Sequence, residues 1–115
     1  RIRVLQRDPA SGAVTERARI PVSTSPDNID VAADSSLTVA GHANTLKLIM
    51  HFIKGTPSPT QILRVIPDDG DNAAVDEIYL NADDEISAGS VGITYGQTLL
   101  IGSITAKKLL VCEQD

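Results

Sequence analysis

The residues of this sequence best suited to chemistry are an adjacent carboxylate and amide, Asp27 and Asn28, in the segment Ser-Pro-Asp-Asn-Ile-Asp at residues 25–30. Both side chains offer the hard oxygen donors that calcium prefers. Pro26 restricts the backbone just before them, so little conformational entropy remains to be lost when a cation binds. Pro-Asp-Asn is also an ordinary turn sequence, however, and the residues alone leave a turn and a metal-ligand pair both open.

The two histidines lie in different contexts. His42 follows a predicted strand in Gly-His-Ala-Asn, where a histidine can be hydrogen-bonded within a loop. His51 lies in an apolar run, where strand alternation explains its position. We therefore expect a structural role for His51.

Two acidic stretches, at residues 68–72 and 83–85, invite a further metal assignment. Neither matches the calcium-loop template. Counted from Asp69, Ala73 stands where an Asp or Asn is needed, and the glycine that should follow is missing. Both stretches are predicted to be solvated loops.

The composition describes one globular domain built from small aliphatic side chains. The chain has 115 residues, 42% of them hydrophobic, with no Trp, one Phe and two Tyr, which favours short strands with an Ile, Val, Leu and Ala core. The net charge of −5 and the lack of a basic patch argue against nucleic acid or an anionic membrane surface as partner. No apolar run approaches the roughly 20 residues of a membrane span. Because the sequence begins at Arg1, we expect a segment to precede it.

Ten short β-strands are predicted, separated by connections rich in Gly, Pro and Asp. They cover residues 2–6, 16–22, 29–31, 37–40, 45–51, 61–66, 75–80, 90–94, 98–103 and 108–111. Helical periodicity is a competing interpretation only at residues 45–54. The chain is therefore predicted to be all-β.

The strands group as two, then four, then four, which is typical of consecutive β-propeller blades. In this interpretation residues 1–24 form the outer strand pair of one blade, residues 25–67 a complete four-stranded blade, and residues 68–115 the final blade. Blades bury their faces against neighbouring blades, so two and a half blades need a partner that completes the ring. A β-sandwich of about ten strands is the alternative.

Several short motifs, taken in order, resemble the carboxy-terminal third of the paraoxonase/arylesterase family. They are Asp-Asn-Ile at 27–29, Ala-Gly-His-Ala-Asn at 40–44 with Lys47, Ser-Pro at 58–59 before Ile-Leu-Arg-Val at 62–65, Gly-Ser at 89–90, Leu-Leu-Ile-Gly at 99–102, and residues 108–110 with Cys-Glu at 112–113. The resemblance covers nearly all of the chain from Pro21 onward and, more weakly, the hairpin at residues 7–9.

This resemblance implies a six-bladed β-propeller with a catalytic and a structural calcium in its central tunnel, of which the chain supplies the last two and a half blades. It implies hydrolysis of lactones, aryl esters and organophosphate triesters. Asp27 and Asn28 match ligands of the catalytic calcium. His42 matches a histidine near the active-site mouth and is therefore a candidate catalytic residue that contacts substrate or assists proton transfer, with a hydrogen-bonded loop histidine as the alternative. The remaining ligands and the histidine pair proposed to activate water lie in preceding blades, so an amino-terminal portion of the propeller is the expected partner.

The resemblance also assigns three further residues. Ile49 and Ile104 match positions that line an apolar substrate pocket. Cys112, the only cysteine, matches one that forms a disulfide with a cysteine near the amino terminus of the family. That partner is absent here, so Cys112 either pairs with another chain or is a free thiol, and a bridge implies a secreted protein or the lumen of the secretory pathway. Where Gly41 stands, the family commonly has a free cysteine.

Three functions follow from these observations. The first is a calcium-dependent lactonase or arylesterase, to which this chain contributes part of the catalytic calcium site. The second is a non-catalytic propeller that serves as a binding scaffold, because a fold does not determine chemistry. The third is an independent β-sandwich module.

Overall fold

The strands among the described residues form three antiparallel sheets, each with its strands in sequence order. The computed structural model describes residues 1–68, 72–82 and 85–115, and the all-β prediction is confirmed for these residues. The strands are β1 (Ile2–Arg7), β2 (Val14–Ile20), β3 (Ser25–Val31), β4 (Leu37–His42), β5 (Thr60–Ile66), β6 (Ala74–Asn81), β7 (Gly89–Tyr95), β8 (Thr98–Ser103) and β9 (Leu110–Glu113), with one helix, α1 (Thr45–Lys54). The sheets are β1-β2, β3-β4-β5-β6 and β7-β8-β9.

The central strands of the middle sheet, β4 and β5, are buried on both faces by neighbouring parts of the chain. Because side chains alternate between the two faces of a strand, Val39, Leu63 and Val65 share one face. They form a buried cluster with Ile2 and Ile20 of the β1-β2 hairpin. This cluster joins the hairpin to the middle sheet.

The opposite face of the middle sheet packs against the third sheet. Ala40 and Ile62 form a second buried cluster with Leu99 and Ile101 of β8. Gly92 allows β7 to approach closely, because a Cβ atom there would lie 3.0 Å from Ile62 Cδ1. The three sheets are therefore stacked in the order in which they occur in the sequence.

The strand predicted at residues 45–51 is wrong, because this stretch is helix α1. The Asn44 side chain accepts a hydrogen bond from Lys47 N (2.9 Å) and caps the first turn. Gly55 ends the helix in a left-handed conformation (φ 69°), and its N–H donates to His51 O. These two caps prevail over the β propensity of the isoleucines between them.

This change also alters the predicted grouping of strands. The fourth strand of the middle sheet is β6, so the sheet extends across residue 67, where a blade boundary was predicted. The predicted acidic loops fall partly at residues 69–71 and 83–84, which lie outside the described residues. Among the described residues, no helix is long and apolar enough to cross a membrane.

Candidate functional site

Asp27 and Asn28 lie at a β-bulge inside β3, not in a turn before the strand as predicted. The register between β3 and β4 shifts here, so these two residues are opposite the single residue Ala40. In a regular strand, neighbouring side chains point to opposite faces of the sheet. The bulge instead brings the two side chains together, with Asn28 Nδ2 3.3 Å from Asp27 Oδ1.

The Asn28 side chain also joins two sheets. Its Nδ2 donates a hydrogen bond to the backbone oxygen of Ser90 in β7, at 2.8 Å. β3 and β7 are the first strands of their sheets and each lies at a sheet edge. Because the amide nitrogen donates the hydrogen bonds to Ser90 and Asp27, the Asn28 Oδ1 atom keeps its capacity to accept a hydrogen bond or to bind a cation.

His42 contacts the same carboxylate from the end of β4. The histidine is 6% exposed, and its Nε2 lies 3.3 Å from Asp27 Oδ2. His42 is the last residue of β4 and does not lie in a loop. The hydrogen bond predicted within a loop is replaced by a contact with Asp27. When Nε2 carries the proton, it donates to the carboxylate and holds its orientation. His42 Nδ1 is buried without a hydrogen-bond partner in the described part of the chain.

This donor set fits part of a calcium site. Asp27 provides a negative charge on a side chain that is 36% exposed, and each of its oxygens retains a second lone pair. Asn28 provides a neutral amide oxygen. Calcium takes about six to eight oxygen ligands, so the pair would hold one side of the ion. Within residues 1–68, 72–82 and 85–115, no cluster of three or more His, Cys, Asp and Glu side chains is arranged to hold a metal.

The comparison with protein families decides the classification. The arylesterase family profile matches residues 2–114, nearly the whole chain. The chain belongs to the arylesterase family. This confirms the resemblance to the paraoxonase/arylesterase proteins that the sequence motifs indicated, and it points to hydrolase chemistry of the paraoxonase type. A search of curated proteins gives no match to the chain.

The two apolar residues predicted to contact substrate in this arylesterase-family chain lie on separate elements. Ile49 is on α1 and Ile104 follows β8, and both side chains are about half exposed. α1 connects β4 to β5 and so lies at the same end of the middle sheet as His42. At the start of the helix, the Thr45 hydroxyl lies 3.0 Å from the Ser25 hydroxyl of β3. The role of both isoleucines stays a prediction.

Gly41, where the resemblance implies a cysteine in other family members, packs closely against Thr24. A Cβ atom at residue 41 would lie 2.3 Å from Thr24 Oγ1. Thr24 is buried, and its hydroxyl has no hydrogen-bond partner among the described residues. A larger residue at 41 therefore requires Thr24 to move. Sequence reasoning did not identify Thr24, since nothing in the local pattern shows that it packs on β4.

Cys112 is a half-buried free thiol on β9 of this arylesterase-family chain. Burial raises the pKa of the thiol, and the Glu85 carboxylate raises it further. The thiol therefore reacts slowly at neutral pH. A disulfide to a preceding segment stays a prediction.

Proposed function

We propose that this chain forms part of a calcium-dependent hydrolase of lactones and aryl esters, with organophosphate triesters as further substrates. The observation that carries the proposal is the β-bulge, which places the Asp27 carboxylate and the Asn28 amide side by side at a sheet edge. Membership of the arylesterase family supports the reaction class. The chemistry of the donors supports calcium, which prefers carboxylate and amide oxygens.

When bound, calcium supplies a Lewis acid that polarises the ester carbonyl and stabilises the oxyanion formed on attack by water. In this proposal Asp27 contributes charge and Asn28 a neutral oxygen, so that the ion remains electrophilic. His42 is nearly buried and contacts Asp27, which supports a role in orienting the carboxylate. Direct proton transfer to substrate, the other role predicted for His42, requires the ring to gain access to the site.

We further propose that the three stacked sheets are consecutive blades of a six-bladed propeller completed by an amino-terminal portion. Their order supports this, since each sheet packs on the next one in the chain. β3 and β7 would then be innermost strands, and Asp27 and Asn28 would face the tunnel. The preceding blades would supply the remaining ligands and the partner for a Cys112 disulfide, which would form in the secretory pathway.

Chelation and one substitution test the proposal in the complete protein. Removal of calcium should abolish lactone hydrolysis, and added calcium should restore it. Asp27→Ala should lower the activity and the calcium affinity, measured by titration calorimetry, by about 100-fold or more. Asp30→Ala, a carboxylate on the same strand beyond the bulge, is the matched control and should retain both.

Full calcium-dependent activity in Asp27→Ala would contradict the ligand assignment. Calcium binding without hydrolysis of any lactone or aryl ester would instead support the scaffold function. The two results are distinct, because calorimetry measures binding independently of turnover.

A further inference from the structure

Helix α1 has no fully buried residue, and polar side chains link it to the rest of the protein. None of its residues is buried, and Leu46 and Ile53 are 68% and 69% exposed. A surface helix usually buries an apolar stripe against the core, and this burial provides most of its stability. Leu48 and Met50 are only partly buried, so α1 gains little of that contribution and its position depends strongly on a few hydrogen bonds.

His51 makes two of these hydrogen bonds near the end of the helix. Its Nδ1 lies 2.6 Å from the backbone oxygen of Thr56, and its Nε2 lies 2.7 Å from Thr105 Oγ1. A carbonyl oxygen only accepts, so Nδ1 carries a proton, and in the neutral ring Nε2 accepts from the Thr105 hydroxyl. The imidazole thus bridges the segment after α1 and the loop after β8. His51 thus links two elements of the structure, whereas strand alternation predicts only a structural role within a strand.

The loop that His51 reaches is itself held in place. Thr105 N donates to Ser103 Oγ at 3.1 Å, and that hydroxyl donates to the backbone oxygen of Ser87 at 2.6 Å. Ile104 N donates to the backbone oxygen of Ala88 at 3.2 Å. The loop is therefore fixed to the segment before β7, and His51 attaches α1 to this fixed point.

We propose that His51 is a positioning residue that determines where α1, with Ile49, stands relative to the loop that carries Ile104. Its bonds thereby control the size of the apolar group that the site admits. This inference rests on the proposed function, together with the predicted role of Ile49 and Ile104 in lining the substrate pocket. His51 acts through α1 and does not contact the reacting atoms.

Amide hydrogen exchange tests the attachment of α1 without any substrate. His51→Phe keeps a ring of similar size but removes both bonds, and Thr105→Val removes one. Both should speed exchange in the last turn of α1, by about tenfold for His51→Phe and about fivefold for Thr105→Val. Thr105→Ser keeps the hydroxyl and should match the unchanged protein, as should Lys54→Gln on the exposed side of the helix.

The double variant of His51→Phe and Thr105→Val should exchange no faster than His51→Phe alone, because both substitutions remove the same bond. Exchange in α1 that is unchanged in His51→Phe, or effects that simply add, would overturn the attachment.

Steady-state kinetics on phenyl esters of increasing acyl length test the effect on specificity. His51→Phe and Thr105→Val should each raise KM for the longest ester by about fivefold and leave kcat and KM for phenyl acetate unchanged. Thr105→Ser, which keeps the hydroxyl, should show the same KM profile as the unchanged protein. Faster exchange with an unaltered KM profile would overturn the role in specificity. Failure of the unchanged protein to hydrolyse any ester would refute the proposed function and this role together, while exchange would still decide the attachment.

Discussion

Two carboxylates of the β3 region are used in different ways. Asp34, beyond the end of β3, accepts hydrogen bonds from the hydroxyl and the backbone N–H of Ser36 and pairs with Arg64 at 2.6 Å. These contacts lower its pKa from 3.8 to about 2. Asp27 instead contacts His42, which is buried and whose Nδ1 has no hydrogen-bond partner among the residues that the structure describes. Asp34 is therefore satisfied by its own turn and by Arg64 of β5, whereas Asp27 retains capacity for a ligand.

The lowered pKa of Asp34 predicts a specific dependence of stability on pH. The charged form is favoured in the folded state, so its contribution is complete above the unfolded pKa of 3.8 and is lost as the pH falls through about 2. In urea unfolding between pH 2 and pH 5, Asp34→Asn should show a shallower loss of stability than the unchanged protein. Parallel curves would contradict this, because Asp8 and Glu16, whose pKa values are also lowered, are the same in both proteins.

At the scale of elements, the β3-β4 pair carries the candidate site. The bulge determines which way Asp27 and Asn28 point, and the register brings His42 to them. Thr24, directly before β3, occupies the space beside Gly41. We therefore expect one added methyl group at residue 41 to have a measurable effect on stability.

Gly41→Ala should lower the free energy of unfolding by about 1–3 kcal/mol, because its Cβ overlaps the Thr24 side chain. Thr24→Gly removes that side chain, and the double variant should recover part of the loss. Urea unfolding of the four proteins in a double-mutant cycle measures the coupling. Additive effects would show that Thr24 does not limit the size of residue 41.

At the scale of the whole molecule, two separate cores hold the three sheets together. One contains Ile20 and joins the hairpin to the middle sheet. The other contains Ile101 and joins the middle sheet to the third. The hydrogen bond from Asn28 to Ser90 crosses the second of these junctions, so the candidate site depends on one core more than on the other.

Substituting one residue from each core separates their contributions. Ile20→Ala and Ile101→Ala should each cost about 2–5 kcal/mol, because both side chains are almost fully buried. Ile101→Ala should speed amide exchange in β7 and β8, whereas Ile20→Ala should do so in β1 and β2. Equal effects on β7 would show that the two junctions open together.

Much of this protein could be predicted from the sequence because the relevant signals are local. Alternating β-branched and polar residues indicate strands, and most predicted strands match observed ones to within a few residues. The donor types at Asp27 and Asn28 indicate calcium chemistry without reference to the fold. The family follows from short motifs in order, and the profile match confirms it.

The tertiary structure alone decided which of these groups meet. His42 reaches Asp27 because of the register between β3 and β4, and the shared direction of Asp27 and Asn28 comes from a bulge that no local pattern shows. His51 contacts a loop more than fifty residues away in sequence. Side-chain chemistry is a property of each residue, whereas register and sheet packing depend on residues far apart in the chain. For this reason the sequence determined the kind of site, and only the folded chain determined its arrangement.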